Sequence, residues 1–499
     1  MTGGLLERGL AALEAGDLQL ARRALRDALA ARPDDGPTLH AAGRLALAQR
    51  RPAEAAALLG RAASRLNSAE AWDDLGRALN NSRRPAEAEA AFRRALALRP
   101  EAAAIHNRLG HVLRATNRID EARREFEQAV RLDPQHAVAW RNLGAACLAG
   151  DDPPGALKAF RRALDLLPGN PQFRYLMATA THRSGDLDGA IAAYRELLDE
   201  HPGHADAWAN LGMALQDQGD LAGAVTAYRA ALARAPADLN TRNRLGDALV
   251  AAGRHPDALE VADDTLAADP GNPAAIATRA LALAATGRRD DAASLLAMDR
   301  LVRSFRIAAP PGFTDIGAFN RDLGRFVTGH PSLRHEPAGH ATRLGSHTRD
   351  LLGGDPGPVA CLAAAARDAI RDYLEALTPD EGHPFPGPRP AEHELVMWAV
   401  VMDQRGHQLP HIHPAAWLSG VYYVELPEAV TESGQEGWIE FGHPPEDLAT
   451  GPLPAVKHLR PEEGMLVLFP SYLYHRTIPF TSGQRRISVA LDVLRQPRP

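Results

Sequence analysis

The sequence has little of several features that mark specialised classes of protein. Cys147 and Cys361 are the only cysteines in 499 residues, and they lie far apart in the chain. A disulfide framework is excluded in practice, so we expect a reducing, cytoplasmic compartment. No apolar run reaches the length that spans a bilayer, and the first residues lack the basic start and apolar segment of a signal peptide.

Basic charge and several catalytic motifs are also lacking. Lys and Arg number 56 against 62 Asp and Glu, which gives a formal net charge of −6. A chain that binds nucleic acid or an anionic membrane through its global charge carries a basic excess, so we expect neither partner. There is no G-x-S-x-G elbow, no phosphate-binding G-x-x-x-x-G-K-[ST] loop and no C-x-x-C pair.

The length of the chain indicates more than one domain. Up to about residue 300 the chain is rich in Ala, Leu and Arg, which favours helices, and beyond it Pro, Gly, His and aromatic residues increase. The helical pattern breaks at Ala308–Gly312. We therefore predict a first domain over 2–306, a junction over 307–312 and a second domain over 313–499.

A step of 34 residues runs through the first domain. Proline recurs at this step at Pro100, Pro134, Pro168, Pro202, Pro236 and Pro270. Other residues recur in phase with this step, at intervals of 34 or 68 residues, namely Trp72, Trp140 and Trp208, the Leu-Gly pairs that begin at Leu75, Leu109, Leu143, Leu211 and Leu245, and the aromatic series Phe92, Phe126, Phe160, Tyr194 and Tyr228. The small residues permit close helix crossing, the aromatic ring fills the gap between paired helices, and proline ends the second helix.

This pattern resembles the tetratricopeptide repeat. The resemblance implies about eight helix pairs in an all-α superhelix, with a groove for a protein or peptide. Asn142 and Asn210 are predicted to lie on the first helices of their repeats. The residues around them resemble the repeats of O-linked N-acetylglucosamine transferase, where such asparagines hold peptide backbone. An amide pairs with both N–H and C=O, which suits this task. The alternative is that both are polar residues on a solvated helix face.

The second domain changes from helical to strand periodicity. Helices are predicted over 316–327 and 359–377, and strands over 395–402, 420–425, 438–441, 465–469 and 487–493. Mostly antiparallel strands behind a few helices favour a double-stranded β-helix, or jelly roll, with flanking helices. The predicted fold class is thus multidomain, with helical repeats followed by a jelly roll.

A group of polar residues in the second domain is suited to a metal and an anion. His411 and His413 are two residues apart, so on a strand they face the same way, and a later strand of a jelly roll can bring His475 to meet them. Imidazole suits Fe(II), and three ligands on one side leave positions for small molecules. Arg486 can hold a carboxylate through its bidentate fork, and Ser488 faces the same side.

At these residues the chain resembles the 2-oxoglutarate- and Fe(II)-dependent oxygenases. Its motifs are similar to those of a bacterial and phage branch of this superfamily. They are, in chain order, H-x-H-P, S-G-V-Y-Y, F-P-S, a single H, and R-I-S. The resemblance implies Fe(II), 2-oxoglutarate and O2 as the required set, with hydroxylation of a substrate. Tyr423 shares the parity of His411 and His413 and is a further candidate for the pocket.

One departure from the wider superfamily concerns charge. Its members use two histidines and one carboxylate, whereas His413 makes this a set of three histidines. The site is one unit more positive as a result, which leaves Zn(II) or different O2 chemistry open. Glu440 is an alternative carboxylate ligand, although its place between Ile439 and Phe441 argues for the opposite face or an edge.

These features are compatible with three functions. The first is a hydroxylase whose repeats deliver a peptide or protein to an Fe(II) and 2-oxoglutarate centre. The second is a repeat scaffold for protein–protein interaction, with a jelly roll that has a structural role. The third is a sensor of 2-oxoglutarate or O2, in which binding changes the orientation of the repeats.

Overall fold

The computed structural model describes residues 2–335, 341–377, 383–385, 394–430 and 434–494. The chain divides into two compact units, residues 1–202 and 203–499. Among the described residues, no helix has the length and apolar character needed to cross a bilayer.

The described part of the first unit consists of six helical hairpins. They are α1 Thr2–Glu14 with α2 Leu18–Ala31, α3 Gly36–Ala48 with α4 Pro52–Leu66, α5 Ala69–Asn81 with α6 Pro85–Leu98, α7 Ala103–Ala115 with α8 Ile119–Leu132, α9 Ala137–Ala149 with α10 Pro153–Leu166, and α11 Pro171–Arg183 with α12 Leu187–Glu200. Several helices begin at a side-chain cap, such as Asp35 or Ser68, and several have proline in the first turn.

The phased glycines explain how tightly the helices pair. A Cβ atom on Gly76, Gly110 or Gly144 would lie 2.6, 2.8 or 2.5 Å from the ring of the phenylalanine sixteen residues later on the partner helix. Real Cβ atoms do not approach so closely, so the ring occupies the space that a side chain would need. The step of 34 residues therefore encodes one packing contact that recurs from hairpin to hairpin.

The second unit begins with three more hairpins. They are α13 Ala205–Gln218 with α14 Leu221–Arg234, α15 Leu239–Ala251 with α16 His255–Ala268, and α17 Pro273–Ala285 with α18 Arg289–Leu296, followed by the short α19 Met298–Leu301. The described residues of the chain thus contain nine hairpins, against the eight or so that the sequence predicts.

Two antiparallel sheets and two helices complete the second unit in the described residues. The strands are β1 Arg303–Arg306, β2 Arg334–His335, β3 Thr342–His347, β4 Glu394–Gln408, β5 Ala416–Glu425, β6 Ile439–Phe441, β7 Lys457–Leu459, β8 Met465–Pro470, β9 His475–Thr477 and β10 Arg486–Leu494, and the helices are α20 Ile316–Thr328 and α21 Val359–Glu375. The larger sheet has the order β1-β8-β5-β10-β4-β3-β2 and the smaller one the order β7-β6-β9. The predicted fold class, helical repeats followed by an antiparallel jelly roll, is confirmed.

The last hairpin shares its hydrophobic core with the sheets. Buried apolar residues of both parts form one cluster, which on the helical side includes Ile276, Leu283, Leu295, Leu296, Met298 and Leu301. Tyrosines from the jelly roll reach back to the same helices: the Tyr373 hydroxyl donates to the Leu301 carbonyl at 2.8 Å, and the Tyr472 hydroxyl donates to the Leu295 carbonyl at 3.3 Å. These contacts make the last hairpin part of the body that carries the sheets.

The domain boundary predicted from the sequence lies beside residues that belong to this shared core. Residues 303–306, the last four assigned to the repeats, form β1 and pair with β8 at the edge of the larger sheet. The division into compact units falls at residues 202/203 rather than at the junction over 307–312. The limits 2–306 and 313–499 therefore stay a sequence-based prediction, and residues 495–499 lie outside the described part.

Gly442 offers a test of the packing beside the smaller sheet. It has a φ of +92°, its N–H donates to the Tyr474 carbonyl at 2.8 Å, and a Cβ atom would lie 2.0 Å from the carbonyl oxygen of Ala455. We expect Gly442→Ala to lower the free energy of unfolding by about 3–5 kcal/mol, because it adds backbone strain to a clash with main-chain atoms. Urea unfolding followed by tryptophan fluorescence measures this change.

Gly483 is the matched control for that substitution. A Cβ atom there would meet nothing within 4 Å. Gly483→Ala should therefore stay within about 0.5 kcal/mol of the parent chain. Equal unfolding midpoints for the two variants would show that the loop around Ala455 moves aside without cost.

Candidate metal centre

Three histidines converge from two segments that pair through their backbones. His411 and His475 form an isolated antiparallel bridge, with N–H to carbonyl distances of 3.1 and 3.0 Å, and the His413 N–H donates to the Ser471 carbonyl at 3.0 Å. The sequence predicts a regular strand for the H-x-H segment, but the structure has only this local pairing between β4 and β5. The pairing nevertheless turns both side chains toward His475.

The three imidazoles are close enough to share one ion. Their ring centroids lie 4.3 Å apart for His411 and His475, and 5.1 Å apart for each pair that includes His413. The potential ligand atoms all lie within 4.8 Å of one another. Among the described residues this is the one group of three or more His, Cys, Asp or Glu residues that could hold a metal ion in this way.

Hydrogen bonds orient each ring in the same way. In every case the Nδ1 atom donates to a carbonyl or carboxylate oxygen: His411 to Leu409 at 2.7 Å, His475 to Leu473 at 3.0 Å, and His413 to Oδ1 of Asp492 at 2.7 Å. A proton held on Nδ1 leaves the lone pair on Nε2, which is the arrangement that a metal ligand needs. All three rings are therefore prepared to bind through Nε2.

Burial keeps two of these rings neutral. Removal from water, followed by the neighbouring His413, lowers the pKa of His411 to about 4. Burial lowers the pKa of His475 well below its ordinary value, and His411 and His413 act in the same direction. A neutral imidazole is the form that binds a metal, so protons do not compete for these two rings near neutral pH.

Asp492 is a buried acidic residue that the sequence patterns did not indicate. Its Oδ1 accepts from His413 and also from the Ser419 hydroxyl, at 2.6 Å. It lies on β10 at the same parity as Arg486 and Ser488, in a run that is otherwise apolar. An acid at that parity, two residues before the end of the strand, is the signal that would have identified it.

A cavity of about 240 Å³ lies beside the histidines. Its lining includes all of the residues predicted for a carboxylate, namely Arg486, Ser488 and Tyr423. It also includes residues that the sequence did not indicate, among them Thr342, His347 and Trp398. Trp398 stands between His347 and His413, with ring centroids 5.9 and 5.6 Å away.

The cavity is lined by polar atoms that lack a partner. In the described part of the chain no hydrogen bond reaches Nε of Arg486, the hydroxyl of Tyr423 or the hydroxyl of Thr342, although all three atoms are buried. Arg486 is 2% exposed, and its guanidinium lies 5.2 Å from the centre of the Tyr423 ring and 4.0 Å from the Met402 sulfur. Burial lowers the pKa of Arg486 and raises that of Tyr423 to about 12. A carboxylate accepts from all of these donors, so the residues fit such a ligand.

Two charged residues close to the predicted ligands in the sequence, Arg485 and Glu440, have partners of their own. Arg485 is exposed and lies 3.7 Å from Glu425. Glu440, the alternative ligand, accepts from Arg476 at 2.6 Å and pairs with His458 at 2.9 Å. Burial acts to raise the pKa of Glu440, but these two hydrogen bonds hold it below its ordinary value. Glu440 is thus held by other partners, and among the described residues the group that could hold a metal ion does not include it.

Family models match both parts of the chain. Tetratricopeptide repeat models match residues 69–112, 107–171, 175–238 and 249–302. A model described as "Putative 2OG-Fe(II) oxygenase" matches residues 396–492. These matches place tetratricopeptide repeats before a domain that is similar to the 2OG-Fe(II) oxygenases. The matched part of that domain contains the three histidines, Arg486 and Asp492.

Solved structures resemble the helical repeats over part of the chain. MamA shares 27% identity over 33% of this chain and 91% of its own, with a TM-score of 0.32. The Cut9–Hcn1 hetero-tetramer of APC/C shares 18% over 48% of each chain, at 0.40. The C-terminal part of a repeat protein from Cytophaga hutchinsonii shares 14% over 48% of this chain and 99% of its own, at 0.41. A search of curated proteins gave no match.

The asparagines predicted for the repeat groove differ in their surroundings. The Asn142 amide is buried, donates to the Asn107 side chain at 2.8 Å and accepts from Arg141 at 2.6 Å. Similar bonds between successive first helices join His40 to Asp74 and Arg108 to Asp73. Asn210 lies half-buried on α13. A link between neighbouring repeats is thus the visible role of Asn142, and peptide binding by either residue stays a prediction.

Proposed function

We propose that the jelly roll is an Fe(II)- and 2-oxoglutarate-dependent dioxygenase that hydroxylates a peptide or protein held by the repeats. The observation that carries this proposal is Arg486. Its guanidinium is buried in a cavity beside three converging histidines, and in the described residues no carboxylate lies within salt-bridge distance. A buried charge without a partner is costly, so a site that keeps one is built for an anionic ligand.

The histidines would hold the metal, and Arg486 would hold the cosubstrate. Fe(II) with bound 2-oxoglutarate supplies the activation of O2, with succinate and CO2 as products and transfer of one oxygen atom to a C–H bond. Nε2 of His411, His413 and His475 provides three ligands on one side, which leaves positions for the cosubstrate and O2. The Arg486 fork, with the hydroxyls of Tyr423 and Thr342, would bind the distal carboxylate.

Apolar side chains around the histidines would exclude water from the reaction. The rings of Phe469 and Phe441 lie 4.7 and 6.3 Å from that of His475, and Ile439 lines the cavity. Such a wall strengthens the electrostatic attraction between the site and a charged ligand. It also protects reactive species from side reactions.

A polypeptide substrate is the part of the proposal that rests on the repeats. Arrays of this kind bind extended peptides or partner helices, and the repeats precede the oxygenase domain in one chain. Asn142 and Asn210 are the proposed contacts to peptide backbone. For Asn142 this requires that a peptide replace the Arg141 side chain at the amide oxygen.

The test of the proposed function compares two histidines of the smaller sheet. Without oxygen, the parent chain with Fe(II) and 2-oxoglutarate should develop a weak visible charge-transfer band, and admission of O2 should release succinate. His475→Ala removes one of three ligands and should abolish both signals. His458→Ala, whose ring pairs with Glu440 on the other face, should retain both.

Other results would favour the scaffold or the sensor. A parent chain that gives no band and no succinate, yet still captures its protein partner after His475→Ala, would be a scaffold. A parent chain that binds 2-oxoglutarate and changes conformation without consuming it would be a sensor.

A further inference from the structure

Asp492 is a buried carboxylate without a fixed cation. Its residue exposure is 9%, and in the described residues its contacts are His413 and Ser419, with no lysine or arginine at ion-pair distance. Burial of an uncompensated charge is costly even after the surroundings relax. The hydrogen bonds from the His413 ring and the Ser419 hydroxyl orient this carboxylate but bring no lysine or arginine charge to it.

The strand that carries Asp492 keeps this charge in one position. β10 lies in the middle of the larger sheet between β4 and β5, and Asp492 is opposite Ser419 in the register with β5. The carboxylate therefore stands behind His413, on the side remote from Nε2, and cannot itself reach the position of the ion. It can act on the ion only through the ring.

The charges around the cavity are balanced when this carboxylate is counted. The three imidazoles are neutral ligands, and Arg486 adds a positive charge to that of a divalent metal. A 2-oxoglutarate dianion neutralises two of these three positive charges, and Asp492 neutralises the third. Without Asp492, the site would carry an excess positive charge in a buried environment, which would oppose metal binding.

We propose that Asp492 supplies, through His413, the negative charge that other oxygenases obtain from a carboxylate ligand. The hydrogen bond to Nδ1 raises the basicity of the imidazole and spreads the carboxylate charge toward the metal. His413 and Asp492 together thus take the place of one carboxylate ligand. This inference rests on the proposed metal site, and it makes Asp492 a positioning and charge-setting residue rather than a ligand.

The test measures affinity for Co(II) by absorption spectroscopy on the whole chain. Asp492→Asn keeps an acceptor for the Nδ1 proton of His413 but removes the charge, and it should weaken Co(II) binding about 10–100-fold. Ser419→Ala removes the other hydrogen bond to Asp492 and leaves the charge, so its effect should be much smaller. If Asp492→Asn does not fold, as judged by circular dichroism, Asp492→Ser offers an uncharged acceptor for the same comparison.

A second background separates a charge that acts through His413 from a structural role of Asp492. In the His413→Asp background the imidazole that links Asp492 to the ion is gone and the new carboxylate supplies a negative charge directly, so Asp492→Asn should weaken Co(II) binding much less than in the parent. A loss of equal size in both backgrounds would overturn the inference and reduce Asp492 to a structural acceptor. Equal Co(II) affinity of Asp492→Asn and the parent would also overturn it. A parent chain that binds no Co(II) would instead contradict the proposed function.

Discussion

A fragment of residues 313–499 should fail to fold on its own, whereas a fragment of residues 203–499 should fold and unfold cooperatively. The shorter fragment lacks the last hairpin and β1, which pairs with β8. It therefore lacks the helical side of the shared core, Ile276, Leu283, Leu295, Leu296, Met298 and Leu301, and exposes the jelly-roll side that packs against it. Burial of each such side chain contributes about 1.5–3 kcal/mol. The loss of six is comparable with the whole stability of a domain, about 5–15 kcal/mol.

Polar groups would add to this loss. The Tyr373 and Tyr472 hydroxyls donate to carbonyls of residues that the shorter fragment lacks, Leu301 and Leu295. A buried hydroxyl without its partner costs about 1–3 kcal/mol. Thermal unfolding of both fragments, followed by near-ultraviolet circular dichroism, shows whether each of them folds cooperatively. A shorter fragment that unfolds as cooperatively and at the same temperature as the longer one would contradict the shared core.

Replacement of Arg486 by alanine should weaken 2-oxoglutarate binding by about 10²–10⁴-fold, since loss of one partner of a buried charge pair costs about 3–5 kcal/mol. Arg485→Ala is the matched control, because the neighbouring guanidinium is exposed and lies near Glu425. Its effect on binding should be small. Anaerobic calorimetric titration of 2-oxoglutarate into the Fe(II)-loaded chain measures both variants.

The stability of the ligand-free protein gives a second test of the role of Arg486. A guanidinium kept for structure would lower the stability when removed. A guanidinium that is buried without a carboxylate partner among the described residues should not lower the stability when it is removed. We therefore expect Arg486→Met to raise the urea midpoint of the ligand-free chain, since it removes an uncompensated charge and keeps apolar volume. A lower midpoint together with unchanged 2-oxoglutarate affinity would assign Arg486 to the fold and not to the ligand.

The repeats were predictable because each contact that builds them is local and recurs. Gly144 and Phe160 are sixteen residues apart, and the same pair returns in phase at Gly110 and Phe126. The same reasoning could have predicted the polar links between repeats, since Asn107 and Asn142 are 35 residues apart, close to one repeat length. They were missed because a polar residue on a helix gives no sign of whether it faces water or a neighbouring helix.

The residues of the site were predictable from parity, but their supports were not. Arg486, Ser488 and Tyr423 were identified because alternate residues of a strand face one side. His411 and His413 were identified for the same reason, although they lie on a segment that pairs only locally with His475. The role of Asp492 depends on a contact 79 residues away along the chain, which no local pattern encodes.

The shared core was the largest feature that the sequence concealed. The break at Ala308–Gly312 is real as a change in composition. Composition reports which residues can be buried but not which surface covers them. The apolar faces of α17 and α18 look like those of any repeat, and only the fold shows that the jelly roll covers them.

The acceptors of the three Nδ1 protons differ in whether an amino-acid substitution can remove them. The rings of His411 and His475 are oriented by main-chain carbonyls, at positions 409 and 473, and every amino acid carries that carbonyl. The orientation of these two rings is therefore insensitive to which side chain stands at the acceptor position. The His413 ring depends on a side chain, so a single codon, that of Asp492, can alter it. A substitution at position 492 should therefore alter the orientation of this ring while all three histidines are retained.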